Sequence, residues 1–149
     1  MHIYEATIRW TCEGDFAKGR YSRAHEWAFD GGAVVRGSAS PLSVPLPFSD
    51  PAAVDPEEAF IAAISSCHML WFLDLARRGG WHVAHYMDRA TGRMTDGPDP
   101  WIDRVDLFPK VDWDGAAPAT DAIKDLHHEA HERCFIANSV KSEVVVNTA

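Results

Sequence analysis

The stretch from Asp55 to Gly80 constrains the fold more than any other part of the chain. Its start signals coincide: Asp55 suits an N-cap, Pro56 the first helical position, and Glu57 and Glu58 sit at the positive end of the helix macrodipole. Its stop is as clear, because Arg77 and Arg78 favour the negative end and Gly79-Gly80 can adopt a left-handed cap. The spacing predicts a helix of about twenty residues, roughly 30 Å long. Between the caps Phe60, Ile61, Ile64, Met69, Leu70, Trp71, Phe72, Leu73 and Leu75 leave almost no polar face, the character of a central helix covered on most sides.

Upstream, Tyr4, Ala6, Ile8 and Trp10 alternate with Glu5, Thr7, Arg9 and Thr11, which predicts a first strand over Ile3–Cys12 with one face covered. The segment Gly14–Gly19 breaks it, Tyr21–Phe29 resumes, and Asp30-Gly31-Gly32 turns the chain into a returning strand over Ala33–Ala39, an antiparallel meander. Pro41, Pro45, Pro47 and Pro51 make the following connection irregular. Beyond the central helix, Trp81–Met87 and Ile102–Trp113 read as strands separated by the turn formers Asp96–Pro100. After Pro118, Ala122, Leu126 and Ala130 recur at four-residue spacing, and the same interval reaches Cys134, which places that thiol on the buried stripe of a second helix. Val140–Val146 reads as a last strand. Strands and helices mix without βαβ alternation, so the expected class is α+β, in a single domain spanning 1–149 with no repeat or dividing linker.

A formal charge of −8 argues against nucleic acid as a partner, since phosphate binding draws on clustered Lys and Arg. The N-terminal residues Met1-His2-Ile3-Tyr4-Glu5 lack the basic and apolar regions of a signal peptide, and no run reaches about 18 uninterrupted apolar residues. A cytoplasmic protein with no membrane partner is expected. Three cysteines, Cys12, Cys67 and Cys134, are too few and too widely spaced for a secreted disulfide framework.

Cys67, midway along the central helix, is either an inert core thiol or, with a cation nearby, a reactive thiolate. Arg20 and Arg23 of the meander are candidate cations, with Arg36 on the next strand. Glu57 lies ten residues before Cys67, close to three helical turns and so on nearly the same face. His68 points about 100° away from its neighbour and reads as structural, as does Cys12. His127, His128, His131 and Cys134 have spacings compatible with a metal site, although the segment is not H-E-x-x-H. Two further readings therefore stand beside thiol chemistry: a metal-binding protein using Cys67, His68, His131 and Cys134, and a ligand-binding, stress-associated dimer with little turnover.

Taken in order, Asp55-Pro56-Glu57-Glu58, the Ala-Ala-x-x-x-Cys run ending at Cys67, and Ala130-His131-x-x-Cys134 resemble the OsmC/Ohr family of thiol-dependent peroxidases. The segment Tyr21-Ser22-Arg23-Ala24-His25-Glu26-Trp27 is similar to the arginine-bearing strand of the OsmC-like branch. Asp55 stands where that family often has Asn. The resemblance implies an OsmC-like fold in an intertwined homodimer with its active sites at the subunit interface. It further implies that Cys67 is the peroxidatic cysteine, Cys134 the resolving one, Arg23 the activating arginine and Glu57 the carboxylate that holds it. It implies an organic, lipid-like hydroperoxide as substrate, a cellular dithiol as reductant and no cofactor. Phe60, Ile64, Trp71 and Phe135, with Met69 and Phe72, are expected to line an apolar substrate pocket.

Overall fold

The computed structural model describes residues 1–148. The chain divides after Ala59 into two compact units. The first holds strands β1 (Ala6–Arg9), β2 (Gly14–Asp15), β3 (Arg20–Tyr21), β4 (His25–Phe29) and β5 (Val34–Gly37). β1, β4 and β5 form an antiparallel sheet in that order, which is the expected meander, and Gly32, at φ +88°, makes the turn between β4 and β5. The segment expected only to interrupt the meander pairs as a small hairpin, β2 against β3. Gly14 is required there: its φ is +113°, and a Cβ would lie 2.2 Å from the Arg20 carbonyl oxygen. β1 departs from expectation in being exposed along its whole length, because nothing within its own unit lies over the apolar face that Ile8 presents.

Helix α1 (Pro56–Arg78, 23 residues) begins and ends where its signals stand. The Glu58 N–H donates to Asp55 Oδ1 (2.8 Å) and the Asp55 N–H donates to Glu58 Oε2 (3.1 Å), a reciprocal capping box. At the other end Gly80 takes φ +80°, the Trp81 N–H reaches the Ala76 carbonyl and the Gly80 N–H reaches that of Arg77, a Schellman closure. By length and composition α1 could cross a bilayer. Its buried residues, Ile64, His68, Phe72, Leu75 and Ala76, are instead packed within the second unit.

That unit continues with β6 (Val83–Asp88), β7 (Thr91–Met94), β8 (Ile102–Leu107), β9 (Pro109–Trp113), α2 (Thr120–Arg133), a 3-10 turn (Ala137–Ser139) and β10 (Glu143–Val146). The strand expected over Ile102–Trp113 is two. The Phe108 N–H turns aside to Asp88 Oδ1 (2.7 Å), so β8 joins β7 and, in parallel, β10, while β9 pairs with β6. Phe72, Leu75 and Ala76 of α1 pack on Ala130 of α2, with Tyr86, Val111 and Trp113 around them. Ile64 packs on Val105 and Leu107. Full burial of side chains such as Phe72, Ile64 and Leu107 stabilises by about 1.5–3 kcal/mol each.

Candidate active site

Two of the four expected catalytic residues meet in the second unit. Cys134 is the residue that ends α2 rather than part of its stripe: its backbone is extended, with φ −65° and ψ 110°. It is nonetheless 1% exposed, and both thiols are free. Burial pushes the Cys134 thiol up to about 11; an N–H from Ala137, 3.4 Å from the sulfur, opposes that shift, and the neighbouring Cys67 thiol adds to it. Cys67 is half-buried and lines a cleft of about 260 Å³ with Leu70, Trp71, Asp74 and Phe135. Cys67, Leu70, Trp71 and Asp74 are one face of α1, at i, i+3, i+4 and i+7. Phe135 meets Trp71 edge-on at 5.4 Å between ring centres, and the Arg133 guanidinium stands 5.7 Å from the Trp71 ring centre. Asp74 is held in the charged form chiefly by its hydrogen bond from Arg77.

Of the expected lining, Trp71 and Phe135 are at this cleft. Ile64 is fully buried between Val105 and Leu107, and Phe60 lines a different cleft with Trp101, Ile102 and Val140. Phe72 is buried core. Leu70 and Asp74 were the lining residues to find instead, and helical spacing from Cys67 is the signal that marks them.

Arg23 and Glu57 belong to the first unit. The Arg23 guanidinium lies over the Tyr21 ring, 3.6 Å from its centre, and Nη1 donates to the carbonyls of Gly19 (3.1 Å) and Tyr21 (2.5 Å). Its backbone is anchored too. The Trp27 Nε1–H donates to His25 Nε2 (2.7 Å), which leaves the His25 proton on Nδ1 to donate to the Arg23 carbonyl (2.7 Å). Arg23 thus stands at the rim of a bowl of about 410 Å³ walled by Ile8, Trp10, Phe16 and Tyr21. No ion pair joins Arg23 to Glu57 among the described residues, and Glu57 Oε2 is buried without a hydrogen-bond partner. Arg36 is paired with Asp50 at 2.6 Å.

His68, read from the sequence as structural, is buried with its Nε2 3.0 Å from Nδ1 of His127, a partner that sequence reasoning missed. Burial, with His127 and His131 nearby, lowers His68 to about 3; burial lowers His127 to about 4, and Phe72 stacks on its ring at 4.2 Å. Both imidazoles are neutral near pH 7. Among the described residues no three His, Cys, Asp or Glu side chains are arranged to hold an ion.

Comparison with known proteins gives a consistent picture. Residues 49–149 match the family described as OsmC-like protein. A Vibrio cholerae OsmC-like protein of unknown function is similar over 99% of both chains, with 44% identity and a TM-score of 0.95. An organic hydroperoxide resistance protein OsmC from Legionella pneumophila shares the fold at a TM-score of 0.68 and 16% identity, over 99% of this chain and 96% of that one. One from Elizabethkingia anophelis does so at 0.67 and 15%, over 97% and 94%. No curated protein matches the chain.

Proposed function

The chain belongs to the OsmC-like family, and on that premise we propose that it is a thiol peroxidase acting on organic hydroperoxides through Cys67 and Cys134. The observation that carries this reading is the pairing of a half-buried thiol, open to an apolar cleft, with a second thiol that burial keeps protonated beside it. The Cys67 thiolate attacks the distal peroxide oxygen; an S–O bond forms, the O–O bond breaks, and the alkoxide takes a proton and leaves as the alcohol. Cys134 then attacks the Cys67 sulfenic sulfur. The S–S bond forms as the S–O bond breaks, and hydroxide departs with the Cys134 proton as water. A dithiol reductant restores both thiols by exchange.

Leu70, Trp71 and Phe135 give the substrate an apolar body site, in keeping with organic peroxides. Arg23 is the proposed activating cation and Glu57 its carboxylate, in an intertwined homodimer; the buried, partnerless Glu57 oxygen supports a role that one chain does not complete.

The deciding experiment is intact mass and disulfide mapping of the reduced protein after one equivalent of cumene hydroperoxide. The expected product is a Cys67–Cys134 disulfide, with sulfenic acid trapped on Cys67 in a Cys134→Ser variant and no reaction in Cys67→Ser. Slow oxidation shared equally with exposed Cys12 would refute the proposal and favour a ligand-binding dimer.

A further inference from the structure

A further cavity in the unit from Phe60 onward, of about 200 Å³, lies between α2 and β10 and shares no lining residue with the Cys67 cleft. One wall is Lys124, His127, His128 and His131, at i, i+3, i+4 and i+7 on α2, so a single helix stripe supplies every one of these side chains. The other wall is Val144 and Val146, with Thr148. Although the chain carries a charge of −8, among the described residues no carboxylate lines this cavity; Asp121, Asp125, Glu129 and Glu132 of α2 all fall outside it.

The ring nitrogens here have an order imposed by burial. With His68 Nε2–H donating to His127 Nδ1, the His127 proton sits on Nε2, the nitrogen left for the cavity. The opposite polarity would strand an N–H at His68 Nδ1, which is buried without a partner, and an orphaned donor is the costlier kind. Asp88, the carboxylate that acts on His127, is already committed to the Ser65 hydroxyl and the Phe108 N–H. His131 Nδ1 is also buried with no partner among the described residues, so by the same argument its proton belongs on Nε2. An ammonium and two imidazole N–H groups from residues that line one hollow, with apolar strand residues opposite, make a set of donors that lacks an acceptor among the described residues.

We propose that this cavity is a binding site for a small oxyanion, phosphate or carboxylate, with Lys124 supplying the charge and His127 and His131 the N–H donors. The site goes beyond the thiol chemistry and stands or falls without it. It is tested on the full chain by following the imidazole nitrogens in 1H–15N correlation spectra during titration with sodium phosphate and, separately, sodium acetate, against sodium chloride at matched ionic strength and constant neutral pH. The expected result is a saturable shift of the His127 and His131 rings. Response to phosphate alone identifies a phosphate site, and response to acetate a carboxylate site. Lys124 is exposed, so Lys124→Gln should keep the fold while weakening binding about tenfold or more, and Lys124→Arg should retain it. No saturable shift with either anion, a shift that chloride reproduces, or binding indifferent to Lys124→Gln would overturn the proposal.

Discussion

Cys67 and Cys134 differ in how water reaches them, and under the proposed peroxidase reading that difference has a kinetic consequence. With Cys134 raised to about 11, its thiolate is about one part in ten thousand at pH 7. Because the thiolate is the attacking form, closure of the disulfide should accelerate about tenfold per pH unit from about pH 7 to about pH 9. Stopped-flow traces after a single turnover of hydroperoxide would read that slope, and a pH-independent closure rate would show that the buried thiol is not what limits it. The His68–His127 pair sets a second dependence, on stability. Both folded values, about 3 and about 4, lie below the ordinary 6.5, so between about pH 6.5 and about pH 3 the unfolded chain binds more protons than the folded one. Stability is complete above that window and falls as pH drops through it. The urea midpoint should therefore decrease from pH 7 to pH 5, and less steeply in His127→Asn. The burial of Cys134 is legible in the spacing of the second helix, whereas the imidazole pair is not, because the two rings are 59 positions apart and meet only where α1 and α2 pack.

At the scale of elements, legibility tracks how local the determinants are. α1 was readable end to end because its capping box, its first-turn carboxylates and its closing glycines act within a few residues of one another. Asp55→Ala removes the acceptor of the Glu58 N–H and should cost about 1 kcal/mol, seen as a lower thermal midpoint with unchanged far-ultraviolet circular dichroism. The break between β8 and β9 has only a weak local signal. Pro109, which has no N–H to give a ladder, opens β9, and the division of Ile102–Trp113 also depends on the reach of Phe108 N–H to Asp88, a residue on another strand. The same contrast explains the cleft. Cys67 stood out by its motif, and helical spacing from it marks Leu70 and Asp74, whereas the packing of Ile64 on Val105 is fixed only once β8 lies against the helix.

At the scale of the molecule, one chain leaves much apolar surface in water. Ile8 is 60% exposed, Phe16 61%, Leu70 60% and Phe135 67%, and the alternation in β1 that signalled a covered face has nothing covering it within its unit. Exposed patches of this kind mark association surfaces. The sequence reported the need for a cover without saying which chain provides it, since burial against a second copy leaves the same pattern as burial in the core. We expect light scattering on a sizing column to give twice the 16.5 kDa of a single chain. Phe16→Glu, placed in the bowl beside Arg23 but far in sequence from either thiol, should shift the mass toward that of one chain. If the peroxidase site needs two copies, hydroperoxide consumption by this variant should fall as the dimer dissociates and recover with protein concentration. A monomer that retains full activity would separate the two questions, leaving the thiol pair sufficient within one chain and removing any need for a second copy at the site.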